Sequence, residues 1–225
     1  MKKRTIYVVG SQKHYANWMQ GEVVEKMHNA DVVLFTGGAD VNPKLYNRTR
    51  HPETYFDERR DAEEEREFNF AMFLGKPMVG VCRGAQFLCV KASGQLIQHQ
   101  EDPIPWHEIT TWDGRKFTMN SLHHQAQFPY ALRPKEYRII AWTKNISKYH
   151  HGHNETTELM YDLMPAYGRE VEIAYYPKVH SLCIQGHPEM MYSKAWLNSA
   201  VSLSVGYCQE LLNQLINNKL ENIPV

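Results

Sequence analysis

The chain opens with short apolar runs closed by glycine and separated by segments of mixed polarity. Thr5–Val9 is β-branched and aromatic and stops at Gly10, and 31–36 (DVVLFT) stops at Gly37-Gly38; both patterns predict strands. Met78–Val81 is short and wholly apolar, which predicts a buried strand. Between the first two, Tyr15, Trp18, Met19, Val23 and Met27 recur at a loose helical spacing interrupted by Gly21. From Asp57 to Leu74 the pairs Arg59/Glu63, Arg60/Glu64 and Ala62/Arg66 predict a helix with a solvated charged face, with Arg60 and Asp61 as a candidate bracing pair. Phe70 and Phe73 are its expected buried end, and Gly75 with Pro77 its stop. Gln86–Ala92 reads as the helix after Met78–Val81. Strand and helix thus alternate three times, which argues for a parallel sheet covered on both faces. In the second half, 137–143, 172–177 and 181–186 read as strands and Ser193–Leu220 as a long amphipathic helix.

Composition narrows the class. At 225 residues the chain is expected to form one large domain, 1–225, with a sizeable core. Lys plus Arg and Asp plus Glu are 25 each, so no overall charge draws the protein to nucleic acid or to a membrane. The apolar run after Lys2-Lys3-Arg4 is much shorter than the roughly 7–15 residues of a signal-peptide core, and nowhere is there a stretch of about 20 apolar residues. A soluble cytoplasmic protein is expected. Cys82, Cys89, Cys183 and Cys208 form no CxxC pair, which favours a reducing compartment over a disulfide scaffold.

The chemistry concentrates in three places. Gly80-Val81-Cys82-Arg83-Gly84 joins a strand to a helix, the arrangement of a nucleophile elbow, where the helix N-terminus favours a thiolate. A small cysteine in a tight turn satisfies the same pattern. His187-Pro188-Glu189 follows an apolar strand and could supply a base with a carboxylate to orient it; a surface turn is the plain alternative. Gly37-Gly38 could present backbone N–H groups to an anion or simply turn the chain. Each lies at the C-terminal end of a presumed parallel strand, where open α/β sheets place their sites. The histidines at 150, 151 and 153 bring no Cys or carboxylate at a firm ligand spacing, so a His-rich surface loop is the commoner reading and a structural metal the lesser one; His123-His124 could also bind a metal.

Together with FTGGADVNPKLY, RRDAEEE, GKPMVGVCRGAQFLCVKASGQLIQ, NSLHHQ and IQGHPE, in that order, these motifs resemble the class I glutamine amidotransferase superfamily, most closely its γ-glutamyl hydrolase-like branch (peptidase C26). The resemblance implies a doubly wound, mostly parallel, flavodoxin-like α/β sheet with a Cys82–His187–Glu189 triad. It further implies an oxyanion hole from the N–H groups of Gly38 and Arg83, and contacts to a glutamyl group from Gln86, Ser121 and His123. The implied reaction is cofactor-free hydrolysis of a γ-glutamyl amide through a thioester. The alternatives are a glutaminase delivering ammonia to a separate synthetase subunit and a silent binding module of the same fold; a homodimer stays open. Gly186 stands where this branch often has Trp, and 149–172 is longer than the branch's usual link to the last strand.

Overall fold

The computed structural model describes residues 3–101, 104–144, 149–153, 155–157, 169–193 and 199–224. Strands β1 (Thr5–Val9), β2 (Glu22–Val23) and β3 (Val32–Phe35) lead to helix α1 (Glu58–Phe73), then to β4 (Met78–Val81) and α2 (Arg83–Lys91). Short strands β5 (Gln95–Ile97) and β6 (His99–Gln100) precede the hairpin β7 (Trp106–Thr111) and β8 (Lys116–Asn120). There follow β9 (Ala126–Phe128), β10 (Arg138–Thr143), β11 (Tyr149–Gly152), β12 (Glu155–Thr157), β13 (Glu170–Tyr176) and β14 (Ser181–Ile184), then helices α3 (Pro188–Tyr192) and α4 (Ser199–Ile216).

The central sheet runs β2-β1-β3-β4-β14-β13-β10-β7-β8. Its first five strands are parallel, and the remaining strands join on by antiparallel pairing. Strand pleating sends alternate residues to opposite faces. Val8, Leu34, Val79 and Leu182 pack with Trp18 and with Val205 and Leu212 of α4. Their neighbours Val9, Val33, Met78 and Cys183 pack with Phe68 and Ala71 of α1 and Phe87 and Leu88 of α2. The α/β fold with helices on both faces is therefore as the sequence indicated. Among the described residues no helix is long and apolar enough to cross a membrane.

Two local expectations fail for identifiable reasons. The segment 15–28 is not a helix but a 3-10 turn (Lys13–Met19), the edge strand β2 and a second 3-10 turn (Met27–Asn29). Gln20 turns left-handed at φ 52°, and Gly21 lies so close to β1 that a Cβ would meet Ile6 Cδ1 at 2.5 Å. The chain thus returns alongside β1, with Glu22 and Val24 donating to the carbonyls of Arg4 and Ile6. In α1 the apolar end is misassigned: Phe70 is 45% and Phe73 82% exposed, while Phe68 and Ala71 are buried. The buried stripe is Asp61, Glu64, Phe68, Ala71, a single helical face whose first half is acidic. Of the proposed helix 193–220, residues 194–198 lie outside the described ones, and the helix ends at Ile216.

This packing sets an expected contrast in urea unfolding. Phe68→Ala removes a core ring and should cost about 3–5 kcal/mol. Phe70→Ala should stay within about 0.5 kcal/mol. Equal losses would contradict the assigned helix phase.

Candidate active site

Cys82 follows β4 and stands at the N-cap of α2 with φ 51° and ψ −110°, a conformation that side-chain-bearing residues rarely hold. Its flanking glycines explain how the turn closes. A Cβ on Gly80 would lie 2.5 Å from the backbone of Gly84 and Ala85, and one on Gly84 would collide with the carbonyl of Phe35 on β3. Cys82 N–H donates to Ile184 O of β14 at 2.8 Å, which ties the elbow to the strand that carries the histidine.

Because β4 lies between β3 and β14, the three strand ends meet. His187 follows β14 and caps α3, with Pro188 at the first helical position. Its Nδ1 is 2.7 Å from Glu189 Oε1, and both side chains are buried. Asn120 Oδ1 accepts from His187 N–H at 2.8 Å, so the end of β8 reaches back across to hold the histidine backbone. Burial works against the imidazolium, but hydrogen bonds and charge from Cys82 and Glu189 outweigh it and raise the His187 pKa to about 10. Tyr15 packs beside this ring at 6.2 Å between centroids, and burial and the charges of Glu189 and Cys82 push its phenol up to about 12.

A cavity of about 250 Å³ brings Gly38, Cys82, Gln86 and His123 together, with Gln125 and Tyr55 in its wall. Gly38 has φ +139°, open only to glycine. Gln86 donates through Nε2 to Gln125 O at 2.9 Å. Ser121 Oγ lies 3.1 Å from His123 Nε2, and burial lowers the His123 pKa to about 4, keeping it neutral. His123 Nδ1 and Gln125 Oε1 are buried without a protein partner. Larger cavities lie beside α1 (about 540 Å³) and at the antiparallel edge (about 430 Å³); neither includes Cys82. Gly186 is hemmed in by Met119 and Asn120, with Met119 atoms 2.5 Å from a would-be Cβ, so no tryptophan fits here.

Other groups at the site escaped the sequence reading. The Arg83 side chain turns away from the pocket and is 1% exposed, paired with Asp61 at 2.5 Å and with Glu64. Burial raises the Asp61 pKa despite the guanidinium. Asp61 thus bonds Arg83 and not Arg60, whose Nε pairs with Glu64 at 2.9 Å. Arg59 and Glu63 of the charge run pair on its solvated face. The three-residue spacing of Asp61 and Glu64, in phase with Phe68 and Ala71, was the available signal. Asn120, Tyr15 and Gln125 had none, since their roles depend on contacts remote in sequence. Near the pocket, His51, His99, His124 and His150 gather, with His99 Nδ1 and His124 Nδ1 3.4 Å apart. Among the described residues no group of three His, Cys, Asp or Glu is arranged to hold a metal ion.

Comparison with known proteins finds the Peptidase C26 family model matching residues 16–113, a span that includes the glycine loop and the elbow but not His187 or Glu189. The glutamine amidotransferase-like YvdE homolog of Lactococcus lactis subsp. cremoris is 33% identical over 117 residues, covering 42% of this chain and 62% of that protein. The match therefore spans less than two thirds of that relative's length. Among solved structures, a glutamine amidotransferase from Thermotoga maritima has TM-score 0.51 at 11% identity, covering 99% of this chain and 98% of its own. The glutaminase domain of Trypanosoma brucei CTPS with bound acivicin has TM-score 0.50 at 12% identity, covering 84% and 87%. Both are likenesses of fold.

The electrostatics at His187 can be read directly. NMR titration of its imidazole is expected to show a midpoint near 10. In Glu189→Gln the midpoint should fall, because a charge that favours the imidazolium is lost. Since the folded value lies above the unfolded one, the associated stability should be complete below about pH 6.5 and fade as pH rises through about 10. A wild-type midpoint at 6.5 would contradict the assigned contacts.

Proposed function

Because the chain belongs to the class I glutamine amidotransferase-like superfamily, we propose that it cleaves the γ-amide of glutamine or another γ-glutamyl amide, with Cys82, His187 and Glu189 as the catalytic triad. The observation that carries this reading is the convergence, at adjoining strand ends, of an elbow cysteine and a buried histidine whose Nδ1 is held by a carboxylate.

In this reaction the Cys82 sulfur attacks the γ-carbonyl carbon and the carbonyl electrons move onto oxygen. The N–H groups of Arg83 and Gly38 receive that oxyanion, aided by the N-terminus of α2. The tetrahedral adduct collapses, the C–N bond breaks, and His187 gives its proton to the departing nitrogen, which leaves as ammonia or an amine. Neutral His187 then takes a proton from water as the water oxygen adds to the thioester. The C–S bond breaks, releasing glutamate and restoring Cys82. Glu189 keeps the imidazole in the required orientation throughout. Gln86, Ser121 and His123 hold the amino-acid end of the glutamyl group. The unpartnered His123 Nδ1 and Gln125 Oε1 support that assignment, since a zwitterion requires both donors and acceptors. No cofactor enters these steps. A second reading, a glutaminase passing ammonia to a separate synthetase subunit, draws support from the fold shared with the CTPS glutaminase domain.

Two measurements test this. Amine release from glutamine and from γ-glutamyl amides should be detectable and lost in Cys82→Ser, and Gln86→Ala should raise KM more than it lowers kcat. Release only on adding a synthetase would select the second reading. A glutamine-shaped diazoketone should label Cys82 alone, and glutamine should protect it. Burial raises the thiol pKa of Cys89 to about 12, of Cys208 to about 12 and of Cys183 well above its ordinary value, which leaves them inert. Protection without turnover would identify a binding module. Label spread over several cysteines would reduce Cys82 to a turn residue.

A further inference from the structure

The two oxyanion donors stand on different strand ends: Arg83 N–H after β4 and Gly38 N–H after β3. Strand pairing sets the spacing of β3 and β4, but Gly38 lies beyond the last paired residue, Phe35, in a Gly-Gly step with little intrinsic preference. Something else must set the direction of its N–H.

That constraint comes from α1. Glu64 accepts from Arg60 Nε through Oε1 at 2.9 Å and from Arg83 Nη1 through Oε2, so one buried carboxylate joins both sides. Arg60 Nη2 in turn donates to Gly37 O at 2.7 Å and to Thr36 O and Oγ1, each at 3.2 Å. Gly37 C=O and Gly38 N–H belong to the same planar trans peptide and therefore point in opposite directions. Holding the carbonyl on the α1 side turns the N–H away from α1. Arg60 Nη1 also occupies the place that a Cβ on Gly38 would take, so the guanidinium lies flush against this glycine.

We propose that Arg60 and Glu64 are positioning residues that fix the Gly37–Gly38 peptide and couple it to the elbow, so that both oxyanion donors face one point. This rests on the hydrolase reading above. Arg60 touches no reacting atom; it acts through the peptide it holds. Lysine would keep the charge but lose the planar fork that engages Glu64 and the carbonyls together.

The test compares Arg60→Leu and Arg60→Lys with Arg59→Leu, whose parent side chain pairs with Glu63 on the exposed face of α1. Three quantities are read: kcat and KM for a γ-glutamyl amide, binding of glutamate γ-semialdehyde as the Cys82 hemithioacetal, and Cys82 alkylation by iodoacetamide, which develops no oxyanion. Both Arg60 variants should lose roughly 10²–10³-fold in kcat, the usual effect of removing one oxyanion donor. Aldehyde affinity should fall in parallel, with KM and the alkylation rate near wild type. Arg59→Leu should match wild type throughout. A kcat within about threefold of wild type in both Arg60 variants would overturn the proposal, as would equal losses in kcat and alkylation, which mark general disruption. A wild type that alkylates but neither releases amine nor binds the aldehyde would sink the hydrolase reading and this inference with it. An active wild type with undisturbed Arg60 variants would sink this inference alone.

Discussion

The Cα of Gly84 rests against the carbonyl of Phe35, and the Cα of Gly80 against the peptide of Gly84 and Ala85. These two contacts leave no room for a methyl group, and the geometry of the pocket follows from them. They draw the start of α2 down onto β3 and β4, so the one residue that bridges strand and helix is forced to positive φ. That residue is Cys82. The strain, of order 1–3 kcal/mol for such a residue, is sustained because α2 is buried from Arg83 to Val90 and cannot relax without exposing both.

Charge is handled inside the same constraint. Burying a guanidinium to 1% exposure is costly, and Arg83 offsets that cost by pairing its two terminal nitrogens with two carboxylates from one helix face, its Nε staying without a protein partner. This is why an acidic stripe on α1 faces inward, and why the helix docks in one phase. His187 solves the opposite problem. Burial alone would discharge it, yet Cys82 and the carboxylate of Glu189 at its Nδ1 raise its pKa to about 10. The two ionic systems meet at the strand ends without sharing a group, since the Arg83 side chain points into α1 while its backbone belongs to the elbow.

Much of this was readable wherever cause and effect lie close in the chain. The elbow is five contiguous residues, and its glycines are legible as places where backbone must approach backbone. His187, Pro188 and Glu189 are adjacent, so a helix start fixed by proline brings carboxylate and imidazole to 2.7 Å with little help from elsewhere. Phe70 and Phe73 misled because apolar identity was read without helical phase. Traced back from Ala71 through Phe68, the same stripe runs to Glu64 and Asp61, which places these acids inward. The spacing from Tyr15 predicts a helix, but the close approach of Gly21 to Ile6 and Arg4 turns the chain into an edge strand instead.

The amino-acid sequence by itself determined the α/β alternation, the strand-to-helix turn at Cys82 and the local pairing of His187 with Glu189. Periodicity, backbone sterics and short-range hydrogen bonds act over a few residues and leave their marks there. Tertiary structure alone decided that β3, β4 and β14 are neighbours, that Asn120 at the end of β8 holds the backbone of a histidine 67 residues away, and that Glu64 lies between two arginines. These depend on which faces bury together. That choice is made by the packing of the whole sheet and its helices, and no local stretch of sequence encodes it.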